Sequence, residues 1–103
     1  MKIYDKLVRD KIPEIIAESG KHCDTIIINS DERKEYLERK LYEEVEEYVE
    51  AKNIEELADI MEVLYGLANS LGYSEEDLNE VRSRKYDERG GFKEGIVLRK
   101  VWW

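Results

Sequence analysis

The feature that most limits what this chain can fold into is the two-residue gap between two amphipathic segments. Leu41, Val45, Tyr48 and Val49 recur at helical spacing up to Ala51, and Leu57, Ile60, Met61, Leu64, Leu67, Ala68 and Leu71 do so beyond Asn53. Only Lys52 and Asn53 stand between them, so the two helices are expected to turn back as an antiparallel hairpin with their apolar stripes as core. The first should run from about Asp31 to Ala51. Asn53 with Glu56 three residues on resembles a capping box, opening a helix to about Leu71 that stops at Gly72.

Shorter elements flank the hairpin. Asp10 is placed to cap a helix from Lys11 to Ser19, with Pro13 in its first turn and Gly20 past its end. Ser74 caps a further helix, Glu75 to Glu88, closed by Gly90-Gly91. Asp24 to Ile28 and Ile96 to Leu98 are short, apolar and extended, and are expected to form a strand or arm, the two able to pair. The expected fold is therefore mainly all-α: an antiparallel helical hairpin within a four-helix domain, with one or two short extended segments. A second core would be too small to stand alone in 103 residues, so residues 1–103 form one domain.

No apolar run approaches the roughly 20 residues of a membrane span. Met1 to Lys6 lacks the apolar core of a signal peptide. A single cysteine, Cys23, and a single histidine, His22, exclude an internal disulfide and a zinc finger. A cytoplasmic protein is expected.

The formal charge of −8 is local. Between Leu41 and Glu62 stand nine acids and one base, Lys52; the rest of the chain balances at sixteen of each. A general nucleic-acid binder needs basic surface, so no nucleic-acid partner is expected. One segment instead concentrates negative charge at a cost in self-repulsion. Within it, Glu44-x-x-Glu47 and Glu56-x-x-Asp59 each place two carboxylates on neighbouring turns. At about 100° per residue, Glu44 and Glu56 fall about 70° from the centre of their apolar stripes, with Glu47 and Asp59 further out on the same flank. In an antiparallel hairpin, residues at one level have numbers with a constant sum. That sum is 103 for both Glu44 with Asp59 and Glu47 with Glu56. Four carboxylates can thus meet at the edge of the core, a set unstable as free anions and suited to Mg²⁺, with Mn²⁺ as a substitute. The ordinary reading of a Glu-rich helix is a solvated face, and Glu43, Glu46, Glu50 and Glu62 are read so.

Lys40-Leu41-Tyr42-Glu43-Glu44-Val45-Glu46-Glu47, followed by Glu55-Glu56-Leu57-Ala58-Asp59-Ile60, resembles the ExxE…ExxD signature of the all-α nucleotide pyrophosphohydrolases. These include the MazG-like and phosphoribosyl-ATP pyrophosphohydrolase enzymes. Tyr4 to Ile16 and Glu88-Arg89-Gly90-Gly91-Phe92 resemble the opening and close of a phosphoribosyl-ATP pyrophosphohydrolase-like subgroup, so the resemblance spans nearly the whole chain. Only eight residues separate Glu47 from Glu56, where the family commonly carries a longer insertion.

The resemblance implies metal ligation by Glu44, Glu47, Glu56 and Asp59, and hydrolysis of a nucleoside triphosphate to monophosphate and pyrophosphate. A nucleotide-pool house-cleaning role follows, with phosphoribosyl-ATP hydrolysis in histidine biosynthesis as the alternative. Glu47 is the candidate base for the attacking water. Basic groups must hold the outer phosphates; Arg9, Lys85 and Arg89, in or beside the resembling segments, rank above Lys6, Lys11, Arg82 and Arg84. Chain size and the terminal Trp102-Trp103 pair point to a homo-dimer or homo-tetramer. A reading of another class is a non-catalytic acidic helical module that dimerises and binds a partner.

Overall fold

In the computed structural model, which describes residues 5–103, four helices follow one another. They are α1 (Ile12–Glu18), α2 (Ser30–Ala51), α3 (Ile54–Ser70) and α4 (Glu75–Arg89). Met1 to Tyr4, on which part of the N-terminal reading rested, lie outside the described residues. The all-α class holds. Among the described residues no strand forms, so the two segments at 24–28 and 96–98 take no regular secondary structure and do not pair with each other.

Side-chain caps set three of the helix starts. Asn29 and Ser74 begin α2 and α4 with complete capping boxes, using Glu32 and Asp77. Asn53 begins α3 by accepting from the Glu56 backbone N–H at 3.0 Å. Asp10 is not a cap: α1 starts one residue later than expected, at Ile12, with Lys11 in the cap position and no side-chain cap, on a turn in which the Ile12 N–H donates to the Arg9 carbonyl.

α2 and α3 form the expected antiparallel hairpin, and α4 packs on α3. Among the described residues, α1 packs on no other helix. The hairpin's inner face is turned from the expected one. Leu37, Val63 and Ala68 are its buried apolar side chains, while Val45, Val49, Leu57, Met61, Leu64 and Leu71, expected in the core, are exposed. Gly66 accounts for the rotation. A Cβ there would stand 3.0 Å from Leu37 Cδ2, so a glycine lets the two helices close on each other at this level. Leu37 and Gly66 also have numbers summing to 103, the level rule expected of the carboxylates. With Val63 and Gly66 facing α2, Asp59 and Glu56 lie one and two turns before Val63 on the same side, half-buried rather than at the margin.

The rotation leaves Ile54, Leu57, Met61 and Leu64 on α3 beside Val49, Val45 and Tyr42 on α2, all exposed, as an apolar strip along the other side of the hairpin. Residues 96–103 are also exposed, including Trp102 and Trp103, so neither tryptophan enters a core. The radius of gyration is 18.1 Å, against about 13 Å for a compact domain of 100 residues. No helix among the described residues is long and apolar enough to cross a membrane.

Candidate metal centre

The turn at Lys52 and Asn53 sets which carboxylates meet. Lys52 ends α2 in the left-handed conformation (φ 53°, ψ 46°) and Asn53 caps α3, so one helix starts where the other stops. Glu44, Glu56 and Asp59 then come together across the hairpin, each offering a carboxylate oxygen within 4.8 Å of the others. A second group, Glu43, Glu44 and Glu47, lies along α2 by the same measure. The four expected carboxylates are thus joined through Glu44 as two overlapping triads rather than one ring, with Glu47 on the solvent side.

Glu44 is the pivot and the most withdrawn from water, at 6% exposure. Lys40, one turn earlier, pairs with its Oε1 at 3.3 Å, but its Oε2 is buried without a hydrogen-bond partner. Burial pushes the Glu44 carboxyl above the usual glutamate range, reinforced by the adjoining Glu47, while Lys40 opposes the shift. Glu56 presents a second buried oxygen, Oε2, that also lacks a partner. The sequence allowed Glu56 to be spent on the cap at Asn53. Instead its backbone N–H makes the cap bond, no reciprocal side-chain bond forms, and the carboxylate turns to the cluster.

Buried polar atoms nearly always have partners, and an orphaned carboxylate oxygen is costlier than a neutral one. The two residues that carry such oxygens, one on each helix, group here with Asp59. This all-oxygen, anionic set is of the kind hard divalent cations take. Ligand oxygens across an octahedral Mg²⁺ stand roughly 4.2 Å apart, so small side-chain adjustments would bring the triad onto one ion.

Of the three top-ranked phosphate-binding candidates, Arg9 alone reaches the cluster among the described residues: its guanidinium donates to Asp59 Oδ1 at 2.7 Å. Lys85 and Arg89 are exposed on α4, and no hydrogen bond or ion pair among the described residues joins them to the carboxylates. Glu43 departs from expectation. It is half-buried rather than solvated, pairing with Lys6 at 3.1 Å and Lys40 at 3.4 Å. Burial raises its carboxyl, but the Lys6 hydrogen bond and both ammonium charges outweigh this and hold it below the usual range. Lys40 was legible three and four residues before Glu43 and Glu44, the spacing of helical ion pairs. Lys6 carried no such signal, being 37 residues distant in sequence from Glu43. Glu46 and Glu50 are exposed, as read.

No protein-family model, no curated protein and no solved structure matches the chain. Beside Glu43 a small groove is lined by Asp5, Lys6, Tyr36, Arg39 and Lys40, with the Arg39 guanidinium 4.1 Å from the Tyr36 ring centre. Carboxylates for a cation thus adjoin basic and aromatic side chains suited to an anionic ligand.

Proposed function

We propose that this chain is a divalent-metal-dependent nucleotide pyrophosphohydrolase, acting as a homo-dimer or homo-tetramer in the cytoplasm and cleaving a nucleoside triphosphate to monophosphate and pyrophosphate. The observation that carries the reading is the pair of buried, unpartnered oxygens on Glu44 and Glu56, grouped with Asp59 across the hairpin. They fit Mg²⁺ or Mn²⁺, with Glu44, Glu56 and Asp59 as principal ligands and Glu47 completing the set from α2. When bound, the ion supplies charge neutralisation between carboxylates and phosphates and Lewis acidity at the phosphates.

The chain's own groups do the rest. Glu47, on the solvent side of the cluster, accepts a proton as the water oxygen bonds to the α-phosphorus. The α–β anhydride bond breaks and pyrophosphate leaves with the bonding electron pair. Arg9, already beside Asp59, holds a phosphate oxygen. Lys85 and Arg89 enter this reading through the resemblance of their segment alone.

Self-association is supported by the apolar strip from Ile54 to Tyr42 and the exposed Trp102-Trp103 tail. The same strip suits a non-catalytic dimerising module, so activity must decide. The test is pyrophosphate release with and without Mg²⁺ across standard, modified and phosphoribosylated nucleotides. Metal-dependent release is expected. Turnover of phosphoribosyl-ATP alone would assign the histidine-pathway reaction, and no release from any nucleotide would leave the module.

A further inference from the structure

Each carboxylate triad is topped by one cation from the same short segment. Lys6 reaches Glu43, on the triad Glu43, Glu44 and Glu47. Arg9 reaches Asp59, on the triad Glu44, Glu56 and Asp59. Tyr36 adds a weak tie, donating to Asp5 at 3.4 Å, while α1, which continues the segment, packs on no other helix. The segment thus meets the hairpin over the acidic cluster, in part through charge.

The charges around the site explain why cations are needed and why these are insufficient. Among the described residues, the five carboxylates of the two triads (Glu43, Glu44, Glu47, Glu56 and Asp59) are ion-paired by three cations (Lys6, Arg9 and Lys40), leaving two negative charges, matching one divalent ion. The three cations differ in how firmly they are held. Lys40 is largely buried and one helical turn from Glu44. Arg9 touches Asp59 through a single nitrogen, with side chains 55% and 40% exposed, an open ion pair easily exchanged.

We infer that Arg9 is a stand-in cation. It holds Asp59 while the carboxylates carry no metal, gives Asp59 up when a divalent ion binds, and then turns its guanidinium to a phosphate oxygen of the substrate. The inference rests on the metal reading above and deepens it by naming a polyphosphate ligand for Arg9. A guanidinium and a divalent ion repel at one carboxylate, so each weakens the other's hold. A planar fork of donors matches a phosphate as well as a carboxylate, so the released side chain has a destination. Metal and Arg9 therefore compete without nucleotide and cooperate with it.

The full chain, its Arg9→Gln variant and a Lys11→Gln control are titrated with Mn²⁺ alone by calorimetry. Lys11 is exposed, carries the same charge two residues away, and makes no side-chain bond to the cluster. Arg9→Gln is expected to bind Mn²⁺ about two- to fivefold more tightly, the range that losing an exposed competing ion pair allows. Lys11→Gln should bind as the parent does. With an α,β-methylene nucleoside triphosphate present the order reverses, and Arg9→Gln binds metal and nucleotide together more weakly. Unchanged or weaker Mn²⁺ binding by Arg9→Gln overturns the inference while leaving the metal reading intact. Equal tightening by Lys11→Gln also overturns it, because net charge alone would then explain the gain. Absence of Mn²⁺ binding by all three chains overturns the metal reading and this inference together.

Discussion

Glu56→Gln separates the metal reading from every other use of that residue. The α3 cap survives, because Asn53 accepts from the backbone N–H of residue 56 and not from its side chain. Helix propensity barely changes. What is lost is one anion whose Oε2 is buried without a partner, beside Glu44 and Asp59. An unsatisfied buried charged oxygen costs on the order of 1–3 kcal/mol, and a glutamine amide would find acceptors there. The variant should therefore be about 1 kcal/mol more stable than the parent in chelator, a rise of roughly 4–8 °C in Tm for a domain of this size. With Mg²⁺ at ten to a hundred times its Kd, the parent gains about 1.4–2.7 kcal/mol by mass action. The variant, short of one ligand, should gain little. Thermal melts at fixed protein concentration should then cross: variant above parent in chelator, parent above variant in Mg²⁺. Turnover should fall a hundredfold or more, about what losing a principal transition-state charge contact costs. Glu46→Gln and Glu50→Gln, both exposed, should change neither quantity. Parallel melting curves, or equal losses from those two controls, would refute the reasoning.

In chelator, acidification should first stabilise the chain. Glu44 is held above the usual glutamate range, so the fold takes up its proton before the unfolded chain does, and stability rises as pH falls through that raised value. Glu43 is held below the range; its contribution is present above the usual value and lost as pH falls through the lowered one. Urea midpoints against pH should show the rise, and Glu44→Gln should remove it. Leu37→Ala empties the contact against Gly66 and should cost about 2–4 kcal/mol by denaturant melts; a loss below 0.5 kcal/mol would mean that the α2–α3 packing is misplaced. Sedimentation at micromolar protein should give a dimer or tetramer, and Met61→Lys, on the exposed strip, should shift it toward monomer. A parent chain that sediments only as monomer would remove the shared-interface part of the proposal.

The starts of α3 and α4 were legible because caps are local: Asn53 and Ser74 each act within three residues of themselves, whereas Asn29, which caps α2 in the same way, was not singled out. The facing of Glu44 with Asp59 was legible too, since a two-residue turn converts chain numbering into spatial level. The rotation of α3 was not. Its apolar residues surround much of the helix, and the side that meets α2 is decided by the absence of a side chain at Gly66, which hydrophobic periodicity does not register. The same rotation moved Glu56 and Asp59 inward and left Val45, Leu57 and Met61 in solvent. The pairing of Lys6 with Glu43 and Arg9 with Asp59 spans 37 and 50 residues, and no local pattern encodes such a contact. Asp10 had the right chemistry for a cap but stands one position early, Lys11 occupying the place.

The Lys52–Asn53 turn also limits how this chain can change length over generations. One residue inserted within α2, between Glu47 and Ala51, would rotate everything beyond it by about 100° and slide it by about 1.5 Å, carrying Glu56 and Asp59 away from Glu44. Seven residues, close to one added turn for each helix, would lengthen the hairpin tip and return the carboxylates nearly to register. Permitted lengths between Glu47 and Glu56 should therefore come in steps of about seven, whereas residues 22–28 and 96–101 can gain or lose single residues more freely. A one-residue insertion should abolish the Mg²⁺-induced rise in Tm, and a seven-residue helical insertion should keep most of it. The tip of the hairpin is in that sense a counting device, and the spacing it enforces is heritable separately from the residues that bind.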